Sequence, residues 1–199
     1  MKIHLLLLII ISTNCLSQNR SNADITDVTK LTFFNPGISY EKRIGKFQSL
    51  YAQAFMSTSI GLSYSSSFGF ASFIYFDPAM ALQYRFYYNP VKRKSKGKRT
   101  EMNSLNYVSS IFDLIISKSS RSFASYYEKD RYATTLVGIA WGLQRNYPKR
   151  FSLDLSFGAG YLYTKEAEIN DSGQFVIKNA GQFTTLVQLN VGFWLNRRN

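Results

Sequence analysis

Histidine and cysteine are almost missing from this chain of 199 residues: His4 and Cys15 are the only examples. A Ser-His or Cys-His nucleophile pair, a His or Cys metal site and an internal disulfide therefore have almost nothing to be built from. Zinc and haem chemistry are not expected, and no cofactor is. Acidic residues are also scarce, 12 against 24 Lys and Arg, which leaves a formal charge of +12. Long apolar runs are missing as well. Leu5 to Ile11 is the one unbroken stretch, far short of the roughly 20 residues of a membrane-spanning helix.

What stands at the N-terminus is an export pattern. Met1-Lys2-Ile3-His4 is a short basic start, Leu5 to Ile11 is the apolar stretch, and Cys15-Leu16-Ser17 is a small-residue exit. Residues 1–17 thus read as a secretory signal peptide cleaved after Ser17. An acylated Cys15 is the alternative, but Asn14 stands where lipoprotein signals favour a small residue. Cleavage removes Lys2, His4 and Cys15, so the mature chain 18–199 has neither histidine nor cysteine and a charge of +12 − 1 = +11.

The most informative segment runs from Phe151 to Thr164. Phe151, Leu153, Leu155, Phe157, Ala159, Tyr161 and Tyr163 share one parity; Ser152, Asp154, Ser156, Gly158 and Gly160 share the other. A period of two belongs to an extended strand with one apolar and one small, polar face. The segment exceeds an ordinary strand of about five or six residues and suffices to cross a bilayer at a tilt, which takes about 9–11. The pattern recurs at 182–195, 134–144, 79–88 and, more weakly, 49–57. At 104–116 the parity breaks near Ser109-Ser110, which predicts a bulge. Pro36 to Arg43 is the first clear strand, and Asp24 to Phe34 supplies an eighth by the closure rule that single-chain bacterial barrels carry an even number. The expected fold is all-β, an up-and-down antiparallel transmembrane β-barrel of about eight strands.

Connections alternate in length. Residues 45–47 and 146–149 read as short periplasmic turns; the segments near 61–78, 118–131 and 165–181 read as long outer connections. Lys165 to Ile169 and Gln174 to Lys178 flank a good hairpin tip, Asn170-Asp171-Ser172-Gly173. These flanks are expected to extend as a sheet above the membrane. Ala71 to Phe76 can do the same, with Pro78 marking a bulge or an edge. The basic stretch Lys92-Arg93-Lys94-Ser95-Lys96-Gly97-Lys98-Arg99 lies on the periplasmic side of this scheme, yet the connection at 89–103 is long. Its plainer reading is a solvated loop, and its sharper reading is a contact for lipid phosphate or an anionic polymer. No recognition helix or nucleic-acid motif accompanies these charges, so no nucleic-acid partner is expected.

Taken together, these strands resemble the small eight-stranded outer-membrane barrels of Gram-negative bacteria, the OmpA and OmpX architecture, over about residues 30–195. The hairpin from Tyr40 to Lys46 followed by Ser49-Leu50-Tyr51 is similar to that of uncharacterised barrel families. Asn190-Val191-Gly192-Phe193-Trp194-Leu195 is partly similar to a barrel-assembly signal, although Asn196-Arg197-Arg198-Asn199 follows it. The resemblance implies an outer-membrane location, with membrane lipid and the outer-membrane assembly machinery as partners.

Three charged residues lie on the polar parity at similar depth: Glu41, Arg85 and Asp154. Inside a narrow barrel they are expected to form one cluster, because isolated buried charges are costly. Gln53, Gln83, Gln144 and Gln188 would complete its hydrogen bonds. A structural plug is the plain reading and a gate or proton path the sharper one. Val137, Ile139, Leu153, Leu155, Leu189 and Val191 are expected to face lipid. Glu166 and Glu168, with Asp171 nearby, are a conceivable divalent-cation set, but a solvated hairpin is the simpler reading. Gly158-Ala159-Gly160 lies inside a strand and is no phosphate loop.

Three functions compete. The leading one is a non-enzymatic outer-membrane barrel with a structural, adhesive or interaction role through its outer loops, binding of an extracellular ligand by those loops included. The second is a soluble periplasmic, lipocalin-like barrel holding an apolar ligand, in which the apolar parity would face inward. The third is a lipid-modifying barrel enzyme; the barrel hydrolases and acyltransferases resemble one another in relying on histidine, which the mature chain lacks. Parity alone cannot choose between inside and outside.

Overall fold

The structure is a computed structural model that describes residues 25–65, 69–118, 131–169, 172 and 175–196. Eight antiparallel strands follow one another around a closed barrel: β1 (Val28–Thr32), β2 (Gly37–Arg43), β3 (Gln48–Ser65), β4 (Gly69–Tyr87), β5 (Asn106–Lys118), β6 (Arg131–Asn146), β7 (Phe151–Ile169) and β8 (Phe175–Trp194). β1 and β8 close the ring through Lys30↔Trp194, Leu31↔Phe193 and Thr32↔Gly192. We call the end carrying the β2–β3, β4–β5 and β6–β7 connections the base, and the opposite end the rim.

Alternation sorts the side chains. Ser39, Glu41, Ser49, Tyr51, Gln53, Gln83, Arg85, Gln144, Ser152, Asp154 and Ser156 are buried in the lumen. Their neighbours Ile38, Tyr40, Leu50, Leu82, Tyr84, Phe86, Phe151 and Phe157 are exposed on the outer wall. Aromatic pairs cover that wall across strands, such as Trp141 with Phe157 at 5.3 Å and Tyr161 with Phe183 at 5.2 Å between ring centroids.

Two expectations need correction. No bulge interrupts β5: its register runs without a skip through Ser109↔Arg85 and Ser110↔Tyr84 on one side, and Ser109↔Ala140 and Ser110↔Ile139 on the other. The parity break is an inversion of chemistry on a regular strand. Tyr107, Ile111 and Asp113 point inward with Ser109, and Ser110 points outward between Val108 and Phe112. Nor is 61–78 a long connection, since β3 and β4 stay paired from Gln48↔Phe86 to Ser65↔Gly69. β7 and β8 likewise pair to Ile169↔Phe175, the extension expected at that hairpin. Pro78 marks an edge, because the β4–β5 register begins one residue later at Ala79↔Ile115. The proposed signal peptide, residues 1–17, lies outside the described residues.

The long basic connection is a seal for the base. It folds into a short helix α1 (Pro90–Ser95) and a 3-10 turn (Glu101–Asn103), in which Met102 and Asn103 both take left-handed φ, 50° and 58°. That reversal sends Asn103, Ser104 and Leu105 into the barrel mouth, where all three are buried. Asn103 accepts from the Thr26 amide and donates to the Thr26 carbonyl, both at 2.8 Å. Ile25, Tyr87, Leu105 and Tyr107 form an apolar cluster there, with Phe47 packed against it. A segment of such length at the base is explained by what it covers.

The wall is incomplete on one side. β1 and β2 have 5 and 7 residues, whereas their outer neighbours β8 and β3 have 20 and 18. Pairing with this short hairpin stops at Gly192 on β8 and Phe55 on β3. Its tip adds three more bonds: Phe33 N to Val191 O at 2.9 Å, Met56 N to Pro36 O at 2.9 Å, and Thr58 N to Asn35 Oδ1 at 3.1 Å. Asn35 itself sits at φ 59°, a conformation that asparagine tolerates better than most residues. Nearer the rim, no described strand lies between β3 and β8.

Candidate functional site

The lumen towards the base is filled by a charge network. Arg85 of β4 donates through Nη1 to Asp154 Oδ2 and to Gln144 Oε1, each at 2.8 Å, and through Nε to Gln83 Oε1 at 2.8 Å. Its guanidinium lies between two rings, 3.8 Å from the Tyr51 centroid and 4.3 Å from that of Tyr107. A planar, delocalised cation suits such a slot better than an ammonium does. Tyr107 also donates to Asp154 Oδ1 at 2.7 Å. Its ring lies over Gly142, where any Cβ would collide with it, so glycine on β6 is what lets the ring in.

Glu41 does not touch Arg85 directly. It accepts from Ser49 Oγ at 2.7 Å, Tyr87 OH at 2.5 Å and Gln144 Nε2 at 3.2 Å. Gln144 joins the two halves, because its Oε1 accepts from both Arg85 and Lys30, the latter at 2.6 Å. The structure thus places Glu41, Arg85 and Asp154 in one network, with a fourth charge, Lys30, whose ammonium is 3.7 Å from Asp154. Two cations and two carboxylates balance, and each is buried. Lys30 sits in β1, the strand with the poorest pattern, and a lone lysine among Thr29, Leu31 and Thr32 carries no local sign that it points inward.

All four predicted glutamines take part. Gln83 donates to Gln188 at 3.2 Å, Gln53 accepts from Tyr51 OH at 2.9 Å, and Gln188 donates to Asp113 Oδ2. Asp113 was hidden by the expected bulge. It is 5% exposed, and its Oδ1 has no hydrogen-bond partner among the described residues. The carboxylate faces a cavity of about 370 Å³, lined among others by Asn35, Gln53, Thr185, Gln188 and Asn190 and situated where the wall lacks strands between β3 and β8. The lumen is therefore plugged towards the base and hollow towards the rim, a departure from the fully filled interior expected of eight strands.

Val137, Ile139 and Leu189 are exposed on the outer wall, and Leu153, Leu155 and Val191 lie half-buried on the same outward parity. Glu166 and Glu168 stand on β7 opposite Lys178 and Val176, while Asp171 lies outside the described residues. No group of three His, Cys, Asp or Glu side chains is placed to hold a metal ion among the described residues.

A second concentration of charge lies at the base, outside the barrel. Lys92, Arg93, Lys96 and Lys98 of the β4–β5 connection, together with Arg145 of β6 and the Tyr88 ring, line a pocket of about 390 Å³. Sequence reading found the loop charges but not Arg145, which lies about fifty residues away in the chain and reaches the pocket only through the pairing of β5 with β6. No family model, curated protein or solved structure matches this chain.

Proposed function

We propose that this chain is a non-enzymatic outer-membrane β-barrel of a Gram-negative bacterium, whose structural, adhesive or interaction role is carried by its rim. One observation supports this most strongly: the outer wall is apolar and the lumen is polar. Ile139 and Val187 are 72% and 74% exposed outside, while Arg85 and Glu41 are fully enclosed within. Water on the outside would leave that apolar wall unburied, at roughly 25 cal/mol per Å². Hydrocarbon on the outside removes the penalty, and the ladder of backbone bonds, closed through β1 and β8 towards the base, suits it there. A lipocalin-like barrel needs the opposite polarity. The enzyme reading has less support, since 18–199 contain no histidine or cysteine.

Strand length favours a rim that projects. β7 has 19 residues. At about 3.3 Å per residue and a tilt of about 40°, it rises roughly 48 Å, about twice the 25 Å apolar band of such barrels. The β3–β4 and β7–β8 hairpins would then stand well above the bilayer, in the position from which surface loops bind partners. Fractionation of expressing cells tests the reading. The protein should enter the outer-membrane fraction and migrate faster on gels before boiling than after. Recovery in the soluble periplasm, with mobility unchanged by heat, would favour the lipocalin-like alternative.

A further inference from the structure

The cationic pocket at the base has two of its five cations held in place, and neither is neutralised by its hydrogen-bond acceptors. Arg145 donates from Nη1 to Leu105 O at 2.9 Å and Gln144 O at 2.7 Å, and from Nη2 to Asn106 Oδ1 at 2.7 Å. Arg93 is fixed by Arg99 O, at 3.3 Å from Nε and 3.1 Å from Nη2. These acceptors are neutral carbonyl and amide oxygens. The carboxylate of this connection, Glu101, is engaged elsewhere, 2.9 Å from Arg99. Among the described residues no acidic side chain lines the pocket. Five cations, two of them fixed by these bonds, thus line one pocket with no acidic side chain among its described lining residues, and an anion entering there lowers their mutual repulsion.

The pocket is also tied to the outer wall. Tyr88, one of its lining residues, accepts from Trp141 Nε1 at 2.7 Å and from Asn106 Nδ2 at 3.4 Å. Trp141 packs at a tilt against Phe157 outside the barrel, and Val91 is exposed beside Lys92 at the start of α1. Tyrosine and tryptophan with a polar tip and an apolar body mark the level where hydrocarbon meets headgroups. The cations therefore sit at headgroup height on the base side, a placement that rests on the membrane reading above. We propose that this pocket binds the phosphate of an anionic phospholipid headgroup, with Lys92, Lys96 and Lys98 as charge donors around a preset frame of Arg93 and Arg145.

The test uses the full mature chain folded in a phosphate-free detergent. Native mass spectrometry compares retention of phosphatidylglycerol with that of diacylglycerol bearing the same acyl chains, and inorganic phosphate is titrated separately. Wild type should retain the phospholipid at least tenfold better than the diacylglycerol. The K92Q/K96Q/K98Q variant, whose changes lie outside the barrel strands, should lose that preference, and K42Q on β2 should keep it. Heat-modifiable mobility after insertion into vesicles reports separately on the membrane reading. A protein that inserts but shows no preference, or that loses it equally with K42Q, overturns the pocket assignment alone. Lysine-dependent binding of inorganic phosphate without a lipid preference assigns the site to the free anion and overturns the headgroup source.

Discussion

Arg85 and Asp154, carried by strands on different sides of the barrel, meet at 2.8 Å in its centre with neither exposed to solvent. Asp154 is held also by Tyr107 and, at longer range, by Lys30. Among the described residues Arg85 alone contacts Asp154, Gln144 and Gln83 together, so the network hinges on one guanidinium.

Arg85→Met should consequently cost about 3–5 kcal/mol of stability, the usual loss when one member of a buried ion pair is removed. The quadruple variant K30M/E41Q/R85M/D154N should lose less, because no charge of the network is left stranded in the lumen. Denaturant unfolding in detergent compares them, and losses that simply add would show that the four residues do not interact.

Lys30→Met should be milder than R85M. Asp154 keeps Arg85 and Tyr107 in that variant, and Gln144 Oε1 keeps Arg85. An equal or larger loss in the same unfolding series would place the anchor of the network in β1 instead.

Asp113→Asn should leave stability unchanged or raise it, in contrast to D154N. The Asp113 carboxylate has one amide donor from Gln188 and a second oxygen without a partner among the described residues, so removing its charge relieves a desolvation cost. A marked loss of stability in D113N would reveal a cation in the rim-side cavity.

Leu155→Arg tests the outer wall. On the proposed reading it costs about 2–4 kcal/mol if the residue lies at mid-membrane. Nitroxide labels at Val137, Ile139 and Leu189 should relax faster with lipid-soluble oxygen than with a water-soluble reagent; the reverse would point to a barrel in water.

Asp27 offers a pH dependence outside the strands. Burial pushes its carboxyl upward, but Lys42 Nζ at 2.8 Å, the Arg43 amide at 2.8 Å and Tyr40 OH at 3.0 Å outweigh this and hold it below the ordinary carboxylate range. A lowered pKa in the folded state means that the unfolded chain binds the proton more readily. The clamp is therefore complete above the unfolded value of about 3.9 and fades as pH falls through the lower folded value. The Arg43 amide resonance should report this titration, and D27N should abolish it.

Much of the wall was legible from the chain. Alternation is a local property of extended backbone, so Phe151 to Thr164 declares both faces of β7 without any neighbour. Glu41, Arg85 and Asp154 could be grouped because polar parity and distance from a turn set depth along each strand. The absence of histidine and cysteine from 18–199 is likewise a property of the chain alone. Alternation by itself did not say which parity turns inward, since both choices preserve the same pattern; the lipid-facing assignment of Val137 and Ile139 needed the barrel reading as well. Closure of the ring decided it, by putting Arg85 against Tyr51 and Tyr107 and leaving Ile139 outside. Lys30 finds Gln144 across 114 positions of sequence, Asp113 faces inward because β5 keeps its register past two serines, and Arg145 joins the loop lysines only once β6 lies beside β5. The shortness of the β1–β2 hairpin shapes the cavity through the longer strands on either side of it. Pairing register and ring closure are sums over distant contacts, and no local window of residues contains them.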